Sequence, residues 1–228
     1  MTTEKTRRVG VVTNILAAND RVADENRRLF ATKGLCVINL ISSPGAGKTT
    51  LLEHTLPALA QRGIRAAVIV GDIATTRDAD RLAVHDVPVV QICTEAFGGS
   101  CHLEASTIRM GMDQIDLDGV DLLFVENIGN LVCPAEFDLG ERAKVALLSV
   151  TEGEDKPLKY PLAFQESDLG LITKIDLVPH LDFDMDALRE NIETVNPKLP
   201  RIELSARRGT AMEAWLGWLE EQLAATRA

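Results

Sequence analysis

An apolar run, LCVINLI at 35–41, is followed at once by SSPGAGKTT at 42–50, and then by an amphipathic stretch that reads as a helix. No other feature of the chain narrows its fold as much. A strand feeding a helix through such a loop turns successive backbone N–H groups toward one point, at a helix N-terminus whose dipole also favours an anion. The pattern G-x-x-x-x-G-K-[ST] is met at Gly47, Lys48 and Thr49, with Ser42 standing where the first glycine would be. Gly45 and Gly47 permit a close backbone approach that a side chain would block. In this reading Ser43, Pro44, Gly45, Ala46, Gly47 and Thr50 wrap a phosphate chain. Lys48 neutralises the β- and γ-phosphates, and the Thr49 hydroxyl sits on Mg²⁺.

The rest of the chain repeats the strand–helix theme. Further apolar runs lie at 66–70, 88–92, 122–126, 145–150, 169–173 and 201–205, most of them rich in Val and Ile and apolar on both faces. Strands buried between helices have that character. Amphipathic stretches near 49–61, 76–84, 102–112, 185–195 and 210–224 alternate with them, which predicts a doubly wound, mostly parallel α/β sheet. At the start, Ile15, Leu16, Val22, Leu29 and Phe30 form one helical stripe, so 14–33 is expected to be a helix packed on the core and ending at Gly34. Residues 1–13 are expected to form a flexible arm, and 14–228 one domain. The segment 151–167 reads as a loop with one short helical turn.

Composition excludes several functions. With 24 Lys plus Arg against 34 Asp plus Glu, the net charge of −10 opposes nucleic-acid binding. No window approaches the roughly 18 apolar residues of a membrane span, and no apolar h-region follows MTTEKTRRVG. A cytoplasmic protein is expected, whose four cysteines are core residues, metal ligands or reactive thiols rather than disulfides.

A phosphate-binding loop needs a strand-end carboxylate for Mg²⁺ or its water, and Asp72 and Glu126 both qualify. Gly129, three residues after Glu126, is placed to sense a γ-phosphate through its N–H, and the segment after it is the one expected to move. The base is read from TKID at 173–176 and from Ser205-Ala206. Asp176 would accept from guanine N1–H and N2–H, the Lys174 stem would lie along the base, and a backbone N–H of the Ser205-Ala206 turn would donate to O6. Adenine offers neither that N1–H nor that O6, so the pattern favours GTP over ATP. Thr173 stands where Asn is commoner, which leaves one brace of the base loop in question.

Cys101 and His102 follow the third apolar run, and Cys133 lies four residues past Gly129. In a parallel sheet, loops of this kind emerge on the edge that carries the phosphate loop. Two thiolates and an imidazole suit Ni²⁺ or Zn²⁺, with the fourth position open to water, Cys93 or a second chain. Cys36 is expected in the core or at the opposite edge. Between Met110 and Glu141 there is no Lys or Arg, a span that brackets Cys133 and reads as a solvated face or a field that attracts divalent cations.

The segments AANDRVADENRRLF, SSPGAGKTTLLE, VGDI, SCHLEA, ENIGNLVCPAEFDLG, TKIDL and LSA together resemble the HypB family of nickel-incorporation GTPases. The resemblance implies Ni²⁺ or Zn²⁺ on Cys101, His102 and Cys133 at a nucleotide-linked dimer interface. It also implies Mg²⁺ near Thr49, Asp72 and Glu126, and guanine at Lys174 and Asp176. The implied partners are a second copy, a small nickel-binding accessory protein and a hydrogenase large-subunit precursor. The Cys-x-x-Cys-Gly-Cys site and the histidine-rich tract of some members are absent from these residues, so high-capacity nickel storage is not expected. Lys48, Thr49, Asp72 and Glu126 are expected to carry a slow hydrolysis, because no Gln sits beside Gly129. Rival readings are a GTPase of the urease or cobalamin pathways and a small-molecule kinase built on the same loop.

Overall fold

In the computed structural model, which describes residues 11–74, 76–95 and 99–227, the buried run at Cys36–Ser42 forms β1, near the middle of the sheet. The other strands are β2 (Ala66–Asp72), β3 (Val89–Cys93), β4 (Leu122–Glu126), β5 (Ala143–Ser149), β6 (Leu169–Thr173) and β7 (Arg201–Glu203). They pair in parallel in the order β3-β2-β4-β1-β5-β6-β7. The chain works outward from β1 on one side, returns to insert β4 beside it, then crosses to build the other side. Loops on the two flanks therefore part company at the carboxyl end of β1, which is where ligands of open α/β sheets bind. Register sets Glu126 level with Leu40 of β1 and Val70 of β2.

The alternation along the strands explains the layers. Ile38 and Leu40 face a cluster with Leu51, Leu52 and Leu56 of α2 (Lys48–Gln61) and Trp215 and Leu219 of α9 (Met212–Arg227). Val37, Ile69, Leu123 and Val125 join another cluster with Phe30 of α1 (Val11–Lys33) and Ile108 of α4 (Ala105–Met112). Ile41, Ala146 and Leu148 pack with Phe164 of α7 (Pro161–Gln165) and with Leu188 and Ile192 of α8 (Met185–Val195). Because helices cover both faces, the strands are apolar on both.

Some boundaries depart from expectation. Helix α1 starts at Val11, three residues before the expected start at 14, and the rest of the expected arm, residues 1–10, lies outside the described residues. The segment 151–167 holds two short helices rather than one turn, α6 (Lys156–Lys159) and α7. Each has a proline in its first turn, Pro157 or Pro161, whose fixed φ suits that place. Pro134 does the same for α5 (Cys133–Glu136), a turn too short to show periodicity. The helix expected to begin at 102 begins at Ala105, and α3 is Arg77–Ala83. Among the described residues, no helix is long and apolar enough to cross a membrane.

Candidate functional site

Between β1 and α2 the chain must reverse within a few residues, and two glycines take conformations that L side chains avoid, Gly45 at φ 75° and Gly47 at φ 105°. Gly47 caps α2, so the free N–H groups of the first helical turn face a cavity of about 690 Å³. Lys48 is buried there, its Nζ donating to Ser42 Oγ at 2.9 Å. Ser42 thus occupies the glycine position of the motif with a group that holds the lysine. Burial lowers the Lys48 pKa, and the Glu126 carboxylate opposes that shift.

The carboxylates converge on the same cavity. Thr49 Oγ1 donates to Glu126 Oε1 at 2.7 Å, while Glu126 Oε2 is buried without a hydrogen-bond partner. Burial pushes the Glu126 pKa up to about 7, with the Lys48 charge and the Thr49 hydrogen bond pulling the other way. Asp72 lines the cavity from the end of β2, and its Oδ1 accepts from Ala74 N at 3.1 Å. Arg81 and Asp78 of α3 line it too. The sequence did not single them out, because a short surface helix carries no motif. Arg81 is held by Glu53 at 2.7 Å and Asp78 at 3.2 Å.

Residues 173–176 and the Ser205-Ala206 turn close the far wall. Thr173 Oγ1 donates to Ala46 O at 2.6 Å, so the threonine makes a brace to the phosphate loop itself. Lys174, at φ 60° in the left-handed region, lays its side chain over the loop and donates to Gly45 O at 2.6 Å. Asp176, Ser205 and Ala206 line the same cavity. Ser205 Oγ accepts from Arg208 N at 3.3 Å, which tightens the turn.

Beyond Glu126 the chain crosses the front of the phosphate loop. A Cβ on Gly129 would come within 2.9 Å of Pro44 Cα, so only glycine allows this approach. Asn130 and Ser42 form an isolated antiparallel bridge. Asn127, which also lines the cavity, is buried; its Oδ1 accepts from Leu103 N at 3.2 Å and from Ile128 N at 3.0 Å. Its Nδ2 donates to Asn39 Oδ1 of β1 at 3.2 Å. A single amide therefore ties the end of β4 to the residue after His102.

That tie leads to the thiol–imidazole group. Ligand atoms of Cys101, His102 and Cys133 all lie within 4.8 Å of one another. The two sulfurs are 2.9 Å apart, and Cys101 Sγ is 3.8 Å from His102 Nδ1. Phe137 lies against the imidazole with ring centroids 3.9 Å apart. Burial lowers the His102 pKa and raises that of Cys133, which leaves a neutral imidazole lone pair and a thiol that must lose its proton to ligate. His102 Nε2 is buried with no hydrogen-bond partner, Glu104 being 3.8 Å away. Cys93 ends β3 and is not part of the group; Cys36 is buried at the start of β1, where burial raises its thiol pKa.

The fold and the sequence both match known proteins. The family described as "CobW/HypB/UreG, nucleotide-binding domain" matches residues 36–203. The hydrogenase maturation factor HypB of Azotobacter chroococcum mcd 1 is 52% identical over 219 residues, covering 96% of this chain and 70% of that protein. The chain belongs to the HypB family. The hydrogenase/urease maturation factor HypB of Helicobacter pylori (strain ATCC 700392 / 26695) is 38% identical over 94% of this chain and 88% of its own length. A crystal structure of HypB from Helicobacter pylori in complex with nickel superposes with a TM-score of 0.84, covering 91% of this chain and 96% of that one at 38% identity. Residues 36–203 of this HypB-family chain are accordingly a nucleotide-binding domain with a phosphate-binding loop.

Proposed function

We propose that this chain hydrolyses GTP and uses the nucleotide cycle to hand nickel to a hydrogenase precursor, with 14–228 acting as one GTPase domain. The observation that carries the reading is the continuity of two sites. Glu126, Asn127 and Gly129 line the cavity, and the same stretch of chain delivers Cys133 to Cys101 and His102. A ligand that draws Gly129 toward a γ-phosphate would strain or release the segment bearing Cys133.

In this reading the loop 43–50 cradles the phosphates, and Lys48 stabilises the charge that builds during transfer to water. Mg²⁺, when bound, neutralises phosphate charge. Thr49, Asp72 and Glu126 would hold it or its water, a role that the unpartnered Glu126 Oε2 suits. Asp176 accepts from guanine N1–H and N2–H, Lys174 lies along the base, and the Ser205-Ala206 turn donates to O6. The residue after Gly129 is Asn130, not Gln, so hydrolysis is slow or completed by a partner.

The cargo follows from the donors. Two thiolates and a neutral imidazole suit Ni²⁺ and Zn²⁺ alike, and the Helicobacter pylori relative binds nickel. A GTP-dependent homodimer would bring a second chain to the three-ligand site. The relatives' names support a hydrogenase precursor as client, and a small nickel-binding accessory protein upstream belongs to the same proposal. Four free cysteines fit a reducing cytoplasm. One relative's name adds urease, which makes that enzyme a second candidate client.

Nickel titration of the full chain, with and without a non-hydrolysable GTP analogue and with mass followed in the same samples, tests the coupling. Tighter nickel binding and a dimer are expected with the analogue. Indifference to nucleotide in a lasting monomer would refute it. Cys133→Ala should remove one metal site per chain and leave GTP affinity unchanged; surviving metal binding would sink the ligand assignment.

A further inference from the structure

The two segments that bring the metal donors together come from distant parts of the chain, and α1 touches both. Cys101 and His102 lead into α4 at Ala105, whereas Cys133 opens α5 and is followed by Asp138 and Leu139. Asn19 and Asn26 are spaced to share one face of α1. Asn19 Oδ1 accepts from Ala105 N at 2.9 Å, and its Nδ2 donates to Asp138 O at 2.7 Å. Asn26 Nδ2 donates to Ala105 O at 2.8 Å and to Leu139 O at 3.1 Å, while its Oδ1 accepts from Arg109 Nε at 3.0 Å. Each carboxamide therefore bridges the same two segments.

Docking a helix does not require this. Ala23 and Phe30 on the same helix are buried and supply apolar contact. A carboxamide costs free energy to bury unless its hydrogen bonds are made, and Asn19 and Asn26 are 7% and 0% exposed. A third contact fixes the distance: a Cβ on Gly140, just beyond Leu139, would meet Ala23 O at 2.5 Å, so the helix backbone lies directly on that loop. Hydrogen bonds aimed at main-chain groups of both segments set their separation in a way that apolar packing, which tolerates sliding, does not.

We propose that α1 is a clamp for the metal centre, in which Asn19 and Asn26 are positioning residues that hold the Cys101–His102 segment and the Cys133 segment at ligating distance. This rests on the reading of Cys101, His102 and Cys133 as the metal site. Partners of this outer kind typically change metal affinity about 10–100-fold, and they do so without touching the nucleotide cavity.

The test uses the full chain and Ni²⁺ alone as probe, reading nickel affinity, the thiolate-to-nickel charge-transfer absorption and GDP affinity together. Asn19→Ala removes both bridging bonds. Asn19→Asp keeps the acceptor for Ala105 N but cannot donate to Asp138 O, so it releases only the Cys133 side. Both variants should bind nickel about 10–100-fold more weakly with a shifted charge-transfer band, and with GDP affinity unchanged. Thr32→Ala, an exposed change on the same helix, should change none of these. If Asn19→Ala does not fold, Asn19→Asp decides. Parental nickel affinity and spectrum in Asn19→Asp would overturn the clamp. So would a parallel loss of nickel and GDP affinity in a folded variant, which marks a helix that merely supports the fold. Nickel binding that survives Cys133→Ala overturns the metal site itself, whatever Asn19 does.

Discussion

Glu126 concentrates the chemistry of the site in one side chain. It ends β4, accepts from Thr49, and is 3% exposed with one oxygen unpaired. Burial raises its pKa from an ordinary 4.5 to about 7, so the folded chain holds a proton that the unfolded chain releases. The stabilisation is fully present below about pH 4.5 and is lost as pH rises through about 7. Urea unfolding of the nucleotide-free protein should therefore show stability falling over that window, by at most about 3 kcal/mol. Glu126→Gln should flatten the dependence. An unchanged slope in the variant would assign the titration elsewhere. The carboxylate itself was legible from its place at the end of an apolar run. Its protonation was not, because burial beside Lys48 is a property of the assembled cavity.

The loop after β4 works at the scale of elements, where spacing matters more than side-chain chemistry. Gly129 lets it run against the phosphate loop, with no room for a Cβ beside Pro44. Gly129→Ala should force the two loops apart at a cost of about 1–3 kcal/mol, read as weaker GDP binding in a chain whose far-ultraviolet dichroism is unchanged. Parental GDP affinity would show that the contact is not needed. Glycine at this place was expected for its N–H; the steric reason appears only when Pro44 is beside it. Short helices were hidden for a related reason. Helices α5, α6 and α7 each carry a proline in the first turn and are too short to display a repeat, so their sequence looks like loop. The extra residues of α1 at its start are likewise not marked by its apolar stripe.

For the molecule as a whole, the sheet is held between helix layers that meet far along the chain. Trp215 of α9 is fully buried and donates from Nε1 to Thr55 Oγ1 of α2 at 2.9 Å, joining the last helix to the one that carries Lys48. Trp215→Ala should cost about 3–5 kcal/mol in urea unfolding; a loss below about 1 kcal/mol would mean that the layers repack around the space. By itself the sequence determined the parallel sheet and the phosphate loop, and it singled out Lys174, Asp176, Ser205 and Ala206, which line the cavity, and Cys101, His102 and Cys133, which the fold brings together. These depend on local order: what an apolar run is followed by, and which polar group stands at its end. The strand order, the brace from Thr173 to Ala46, the tie from Asn127 to Leu103 and the bridges of Asn19 and Asn26 were decided by tertiary structure alone. Asn39 shows why. In the run LCVINLI it is one polar residue among apolar ones, and only the tertiary structure supplies the Asn127 amide that donates to its Oδ1 and the Glu141 carboxylate that accepts from its Nδ2, which together make its burial affordable.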